Sequence, residues 1–430
     1  MSPTFWVWLL LAAPGASYLP QWTQPRFLLS LWYDPVVPCG DFAKRYAEIA
    51  AANFTAVMGG FGAVTPDAVR AQLAAAQASN LGVIAAAAAG ISDYNQSSAL
   101  WGFQIKDEPS ADQFPGLAAQ TRQIAATVPG KLRFINLLPN CSTSQLNASS
   151  YQAYVRDFVD IVQPDVLCVD YYPSFATPAD SPDPSMDGYK RNLAVLRSNA
   201  LRVDVPFWNF FGVQHVFYGE PDPTEAQVRW QAFTSLAFGA KGLLYFCYWT
   251  GILVQKVPFQ SPNATPSLVL THHYGQAQRT NSRILAFAEH LRTATSVAVY
   301  DFAAAAPGVI TQGIDATRGV RPAGTLPAAL VIGIAGVSGQ GPPQPFLVGE
   351  FALADGRAAV LLQNQGYAFN AVASVVLSPA ALALTLCEVS PDTGIESALL
   401  NDGPGPDLQM IVEAGSARLL VMSMGSCAGS

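Results

Sequence analysis

Charge is scarce in this chain. Only 12% of its 430 residues are charged, against about 25% in a typical soluble protein. The net charge is −7 and basic residues are never clustered, so the cationic footprint that nucleic-acid binding needs is missing. Histidine is rare too, with four in all. No CxxC or HExxH spacing suggests a metal site, and so few histidines leave little room for one. No GxGxxG follows any apolar run, which argues against dinucleotide binding. No cofactor is therefore expected. Beyond the first residues, no segment is long and apolar enough to span a bilayer, and the closing MGSCAGS lacks the hydrophobic tail of a lipid-anchor signal.

What is present begins with a short apolar leader, Phe5 to Ala13, followed by the small residues Gly15, Ala16 and Ser17. It predicts a signal peptide over 1–17 and export through the secretory pathway, although no Lys or Arg precedes the apolar run. The alternatives are a buried strand or a membrane anchor. Glycosylation sequons begin at Asn53, Asn95, Asn140, Asn147 and Asn263, and Pro266 makes the last a poor acceptor. Of the six cysteines, Cys168 and Cys247 sit in apolar runs and read as buried thiols. Cys39 with Cys141, and Cys387 with Cys427, are possible bridges among 15 conceivable pairings.

Half the residues are hydrophobic, enough for a large core. Eight short apolar runs recur in order: Arg26 to Asp34, Phe54 to Gly62, Gly82 to Gly90, Trp101 to Glu108, Lys131 to Pro139, Asp165 to Pro173, Pro206 to Gln214 and Gly242 to Thr250. Helix-like stretches separate them, among them Pro66 to Asn80, Pro223 to Phe238 and Tyr274 to Leu291. Between runs three and four, SDYNQSSA allows barely two turns. Continuous apolar strands alternating with helices predict a parallel sheet buried on both faces. Eight in order predict a closed (β/α)8 barrel over 18–293. Beyond Thr293 the texture changes to short strands split by Gly, Pro, Asn and Asp, which predicts an antiparallel β-sandwich over 297–430.

In a barrel of this kind the active site lies at the carboxyl ends of the strands. Strand one ends with Trp32, Tyr33 and Asp34, and strand four with Lys106, Asp107, Glu108 and Pro109. Asn136 and Asn140 close strand five, and Asp170, Tyr171 and Tyr172 close strand six. Strand seven offers Asn209, Gln214 and His215, and strand eight Tyr248 and Trp249. Carboxylates, amides and aromatic faces together suit sugar recognition, although any single aromatic could be a packing residue. Glu108 is the leading catalytic candidate, because adjacent Asp107 can raise its pKa and keep it protonated as an acid. A helix-start role for Asp107–Ser110 is the plain alternative. Lys106 could form a Schiff base, but pairing with its acidic neighbours is the simpler reading.

The run GFQIKDEP resembles the strand-four motif of family 42 β-galactosidases and other clan A glycosidases. Gly102, Gln104 and Glu108 match that motif and Phe103 replaces its Trp, while Lys106 and Asp107 depart from its Asp and Asn. Arg229 to Trp249 and Thr271 to Ile284 are similar to the helix-seven, strand-eight and following-helix stretches of the same enzymes. The resemblance implies a barrel glycosidase with Glu108 as general acid/base. It also implies a nucleophilic Glu at the end of strand seven, where this chain reads PFWNFFGVQH and has no carboxylate. By elimination Asp170 is the second carboxylate, with Glu220 and Glu225 in reserve. Alternation puts Val166, Cys168 and Asp170 on one face of strand six. A retaining pair would be about 5–5.5 Å apart and an inverting pair about 6.5–9.5 Å. The expected function is hydrolysis of O-glycosidic bonds in oligo- or polysaccharides. Trp32, Asp107, Tyr172, Asn209, Gln214 and Trp249 would bind the carbohydrate. The alternative is a non-catalytic barrel that binds glycan or supports a cell wall.

Overall fold

The structure, a computed structural model, describes residues 22–32, 42–59, 63–87, 91–176, 185–214, 221–248, 255–256, 268–317, 320, 329–335, 337, 342–399 and 407–428. The predicted leader, Tyr33, Asp34, Cys39, His215, Glu220, Trp249 and Asn263 lie outside these residues.

Each of the eight apolar runs yields a parallel strand. They are β1 (Leu28–Leu31), β2 (Ala56–Met58), β3 (Gly82–Ala86), β4 (Leu100–Asp107), β5 (Leu132–Asn136), β6 (Leu167–Asp170), β7 (Phe207–Gly212) and β8 (Gly242–Phe246). The helices between them are α1 (Phe42–Ala51), α2 (Pro66–Ala78), α3 (Phe114–Thr127), α4 (Tyr151–Val162), α5 (Met186–Val203) and α6 (Glu225–Ala237), with α7 (His272–Leu291) after β8. Local chemistry sets their starts. Thr65 caps α2 ahead of Pro66, and Thr224 with Gln227 forms a capping box on α6, so first-turn N–H groups that no helical carbonyl can reach are satisfied. The short segment between β3 and β4 makes only a 3-10 turn, Ile91–Tyr94.

The parallel strands pair as two four-stranded sheets, β1-β8-β7-β6 and β2-β3-β4-β5. Two seams join them. At one, Leu137 and Val169 form a parallel bridge. At the other, the Thr55 N–H donates to Leu29 O at 2.8 Å. One apolar cluster draws Leu28, Leu244, Phe210, Trp208, Cys168 and Val166 from the first sheet's neighbourhood and Met58, Ile84, Leu132 and Phe134 from the second. Its amino-terminal end is closed by indoles: Trp22 lies 6.2 Å from Trp101 and 5.9 Å from Trp208. The opposite strand faces, with Leu29, Val57, Val83, Phe103, Ile135, Val169 and Phe211, pack under the helices. Both faces are apolar because both are covered.

Two short strands, β9 (Gln255–Lys256) and β10 (Leu268–Val269), pair between β8 and α7. From Thr295 onward the chain is antiparallel. The strands are β11 (Thr295–Phe302), β12 (Ile310–Thr311), β13 (Ile314–Asp315), β14 (Val331–Ala335), β15 (Phe346–Ala352), β16 (Ala358–Asn364), β17 (Ala371–Leu377), β18 (Thr385–Val389), β19 (Glu396–Ala398), β20 (Asp407–Val412) and β21 (Ala417–Ser423). They form a seven-stranded sheet, β13-β11-β15-β16-β21-β18-β19, and a four-stranded sheet, β12-β14-β17-β20. Val348, Val360 and Leu420 of the larger meet Val375, Leu408 and Met410 of the smaller in one cluster. The Cys387–Cys427 disulfide, at a Cα separation of 5.7 Å, ties β18 to the segment after β21, one of the two expected bridges. Among the described residues no helix is long and apolar enough to cross a membrane.

Candidate active site

Strand β4 is buried over its first half and emerges at its carboxyl end, leaving Lys106, Asp107 and Glu108 exposed. Its pairing with β5 slips by one residue at Ile105: Gln104 lies opposite Phe134, Lys106 opposite Ile135 and Asp107 opposite Asn136. This β-bulge reverses the alternation. Phe134 belongs to the cluster between the sheets and Ile135 to the layer under the helices, so the slip turns Lys106 outward and Asp107 inward. Without it their faces would be exchanged. Glu108 then takes a left-handed backbone, φ 47°, and its N–H donates to Asn136 O at 2.9 Å. The Tyr154 hydroxyl, donating to Pro109 O at 2.5 Å, fixes the turn that follows. Bulge and left-handed residue together let two consecutive carboxylates serve one site.

Asn136 organises the three acids. Buried at the end of β5, its Nδ2 donates to Asp107 Oδ1 at 3.1 Å and to Asp170 Oδ1 at 3.0 Å. Asp170 ends β6 on the same face as Val166 and Cys168, as the alternation predicts. Its carboxyl interacts with the carboxyl groups of Glu108 and Asp107, and the Tyr172 ring lies 5.0 Å from Phe246.

The electrostatics follow from this crowding. Burial, then the negative charge of Glu108, pushes the Asp170 carboxyl well above the usual carboxylate range. Glu108 is raised by desolvation and then by Asp107, its hydrogen bond with Asp170 acting in the opposite sense. Asp107 is raised by desolvation, against the Asn136 hydrogen bond and the Lys106 charge. Like charges so close cannot all ionise, so the Glu108–Asp170 pair holds a proton over a wider pH range than a lone carboxyl would. The site can therefore offer an acid and a carboxylate side by side.

The other sequence candidates divide. Trp32 is buried on the inner face, edge-on to Phe210 at 5.6 Å. Gln214 is half-buried, two residues past β7. Asn209 does not reach the site: fully buried, its Nδ2 donates to Tyr189 Oη at 2.7 Å and Ser235 Oγ at 3.1 Å, under the helices. In PFWNFFG both faces carry aromatic side chains, so the parity of Asn209 cannot be read from the pattern. Glu225, the described reserve acid, begins α6 and is held by Arg279 at 2.8 Å and Arg229 at 3.2 Å. Hydrogen bonds and charge from these arginines outweigh burial and lower its pKa, so it acts as a helix-start ion-pair partner. Asn136 was legible only as an amide at a strand end; its bridging role depends on the register of β4.

No family model matches the chain and no curated protein does. Solved structures of distantly similar shape include a glycoside hydrolase family 51 arabinofuranosidase from Xanthomonas axonopodis pv. citri, at TM-score 0.44 and 10% identity, covering 96% of this chain and 98% of that one. A β-galactosidase from the Antarctic haloarchaeon Halorubrum lacusprofundi aligns at TM-score 0.45 and 12% identity over 62% of this chain and 59% of that one. A glycoside hydrolase family 5 structure from Bacteroides vulgatus aligns at TM-score 0.40 and 10% identity, covering 89% and 85%.

Proposed function

We propose that this chain is a secreted hydrolase of O-glycosidic bonds in oligo- or polysaccharides, with Glu108 and Asp170 as its acid and its second carboxylate. The observation that carries this reading is the gathering of Asp107, Glu108 and Asp170 around Asn136 at the carboxyl ends of β4, β5 and β6. In the reaction the pair's proton, which burial and the Glu108 charge hold on Asp170 at rest, passes to Glu108 and from there to the leaving glycosidic oxygen. Asp170, left as the carboxylate, attacks the anomeric carbon or deprotonates the attacking water. Glu108 is exposed and free to swing off Asp170 as the sugar enters. Asp107 and Tyr172 hold sugar hydroxyls and Trp32 and Trp249 offer apolar faces, with Gln214 at the rim.

The same proposal has the two parallel sheets close as a (β/α)8 barrel over 18–293, with the antiparallel unit following from about 297. The seam contacts Leu137–Val169 and Thr55–Leu29 support closure. The Cys387–Cys427 disulfide supports an oxidising, secretory location, in line with the leader and sequons.

A second reading is a carbohydrate-binding protein without catalysis. It is favoured by the absence of a carboxylate in β7, FWNFFG. A hydrolysis screen of the parent chain and Glu108→Gln over a broad glycan panel decides between them. Turnover by the parent that the variant lacks supports the enzyme. Binding to panel members without turnover by either supports the second reading.

A further inference from the structure

The connection from β7 to α6 and the start of α7 bring together three side chains that the proposed hydrolysis does not use. Asp222, His272 and His273 each offer one ligand atom, and these atoms all lie within 4.8 Å of one another. The geometry points to a divalent transition-metal site of the zinc class formed by these residues.

The central observation is His273. Its side chain is 4% exposed, yet its two ring nitrogens are treated differently. Nδ1 is 2.8 Å from Gln276 Oε1, a carbonyl oxygen that can only accept, so Nδ1 carries the proton and Nε2 the lone pair. That Nε2 is buried with no hydrogen-bond partner, an arrangement that ordinarily costs stability. It faces Asp222 Oδ2 at 3.8 Å, too far for a hydrogen bond. Two ligands about 2.0–2.1 Å from a tetrahedral metal stand roughly 3.3 Å apart, so a contraction of a few tenths of an ångström seats an ion between them. His272 supplies the third ligand from the same helix turn, its ring 3.9 Å from that of His273. His272 and Asp222 are exposed and can make the adjustment, while His273 is the fixed point. Gln276 is the outer-shell acceptor that commonly orients a ligating imidazole.

Two imidazoles and one carboxylate suit zinc and its transition-metal neighbours over calcium or magnesium, which prefer all-oxygen shells. Three protein ligands leave one tetrahedral position for water on the exposed side. Asp222 follows β7 and His272 follows β8, so the ion would clasp the connections leaving the carboxyl ends of two adjacent strands, the same ends that carry the acids on β4 and β6. The spacing escapes a motif search because the aspartate stands fifty residues ahead of the histidines.

The test uses the full chain, stripped with a chelator and titrated with Zn2+ by calorimetry, and with Co2+ by visible absorption. One equivalent of Zn2+ should bind, and Co2+ should give the intense bands of a four-coordinate ion. Exposed His272→Ala should weaken Zn2+ binding by more than about 100-fold, and Gln276→Ala by about 10–100-fold, each with unchanged circular dichroism. No Zn2+ binding by the folded parent overturns the site. So does parent-like affinity in His272→Ala or His273→Ala, which would move the ion elsewhere.

Discussion

The proton shared by Glu108 and Asp170 makes specific demands on single residues. If Glu108 is the acid, Glu108→Gln keeps the shape and removes the proton. Turnover should then fall by about 10²–10⁴-fold, the usual worth of general acid catalysis, and a variant within a few-fold of the parent would exclude the role. Asp107 acts through charge: after desolvation, it is what raises Glu108. Asp107→Asn retains the acceptor for Asn136 but loses that charge, so the pH at which activity falls on the alkaline side should move downward, as read from a kcat/KM profile. Asp170 has a sign of its own. Its folded pKa lies above the unfolded value, so its contribution to stability is fully present below the unfolded pKa and is lost as pH rises through the folded one. Asp170→Asn should therefore gain stability over the parent at pH 8, and not at pH 4, in urea denaturation. A uniform effect at both pH values would contradict the buried, charge-crowded carboxyl. The strand-end positions of Glu108 and Asp170 were legible in the sequence because an apolar run leads into each. Asn209 was misjudged because its strand is apolar on both faces, so alternation gives no parity.

At the scale of elements, all eight strands could be read as continuous apolar runs, since strands covered on both faces leave no room for polar alternation. The missing third helix was legible as a segment too short to hold one. The slip at Ile105 was not, because a bulge is a property of two paired strands and neither β4 nor β5 shows it alone. Yet this slip puts Asp107 rather than Lys106 beside Asn136. The frame that keeps β5 in register has its own fastening. Arg133 on β5 reaches Asp165, just ahead of β6, through Nε at 2.8 Å, Nη2 at 2.5 Å and its backbone N–H at 3.2 Å. Both side chains are buried, at 7% and 0% exposure. Removing one partner leaves the other charged and unpaired in a dry site, so Asp165→Ala should cost about 3–5 kcal/mol in denaturant unfolding. An exposed pair would be worth about 1 kcal/mol or less, and a loss that small would contradict the burial. The double variant Arg133→Met/Asp165→Ala should recover part of the loss, because it removes the stranded charge.

Across the whole molecule, the antiparallel unit is seated on α6 and α5 through polar and backbone contacts. Gln363 Nε2 donates to Trp230 O at 3.0 Å and Thr234 Oγ1 to Gln363 Oε1 at 3.1 Å. Buried Arg197 donates to Ser296 Oγ at 2.8 Å and Ser296 O at 2.9 Å, and Lys190 pairs with Asp301 at 2.6 Å. A close approach lies at Gly349 of β15, where an added Cβ would stand 2.4 Å from Ala237 O and 2.9 Å from Ala237 Cα. Both neighbours are backbone, so no rotamer change relieves the clash, and α6 would have to move off the sheet. Gly349→Ala should therefore destabilise by at least about 1–3 kcal/mol, the usual range for overpacking. Where that loss appears tests how the two units are joined. All eight tryptophans precede residue 250, so indole fluorescence reports on the parallel-strand unit and, through Trp230, on its junction with the antiparallel one, where the substitution lies. If docking holds the molecule together as one cooperative unit, fluorescence and far-ultraviolet circular dichroism should shift to a lower midpoint together. A fluorescence midpoint unmoved while circular dichroism shifts would mean that the parallel-strand unit stands without its neighbour.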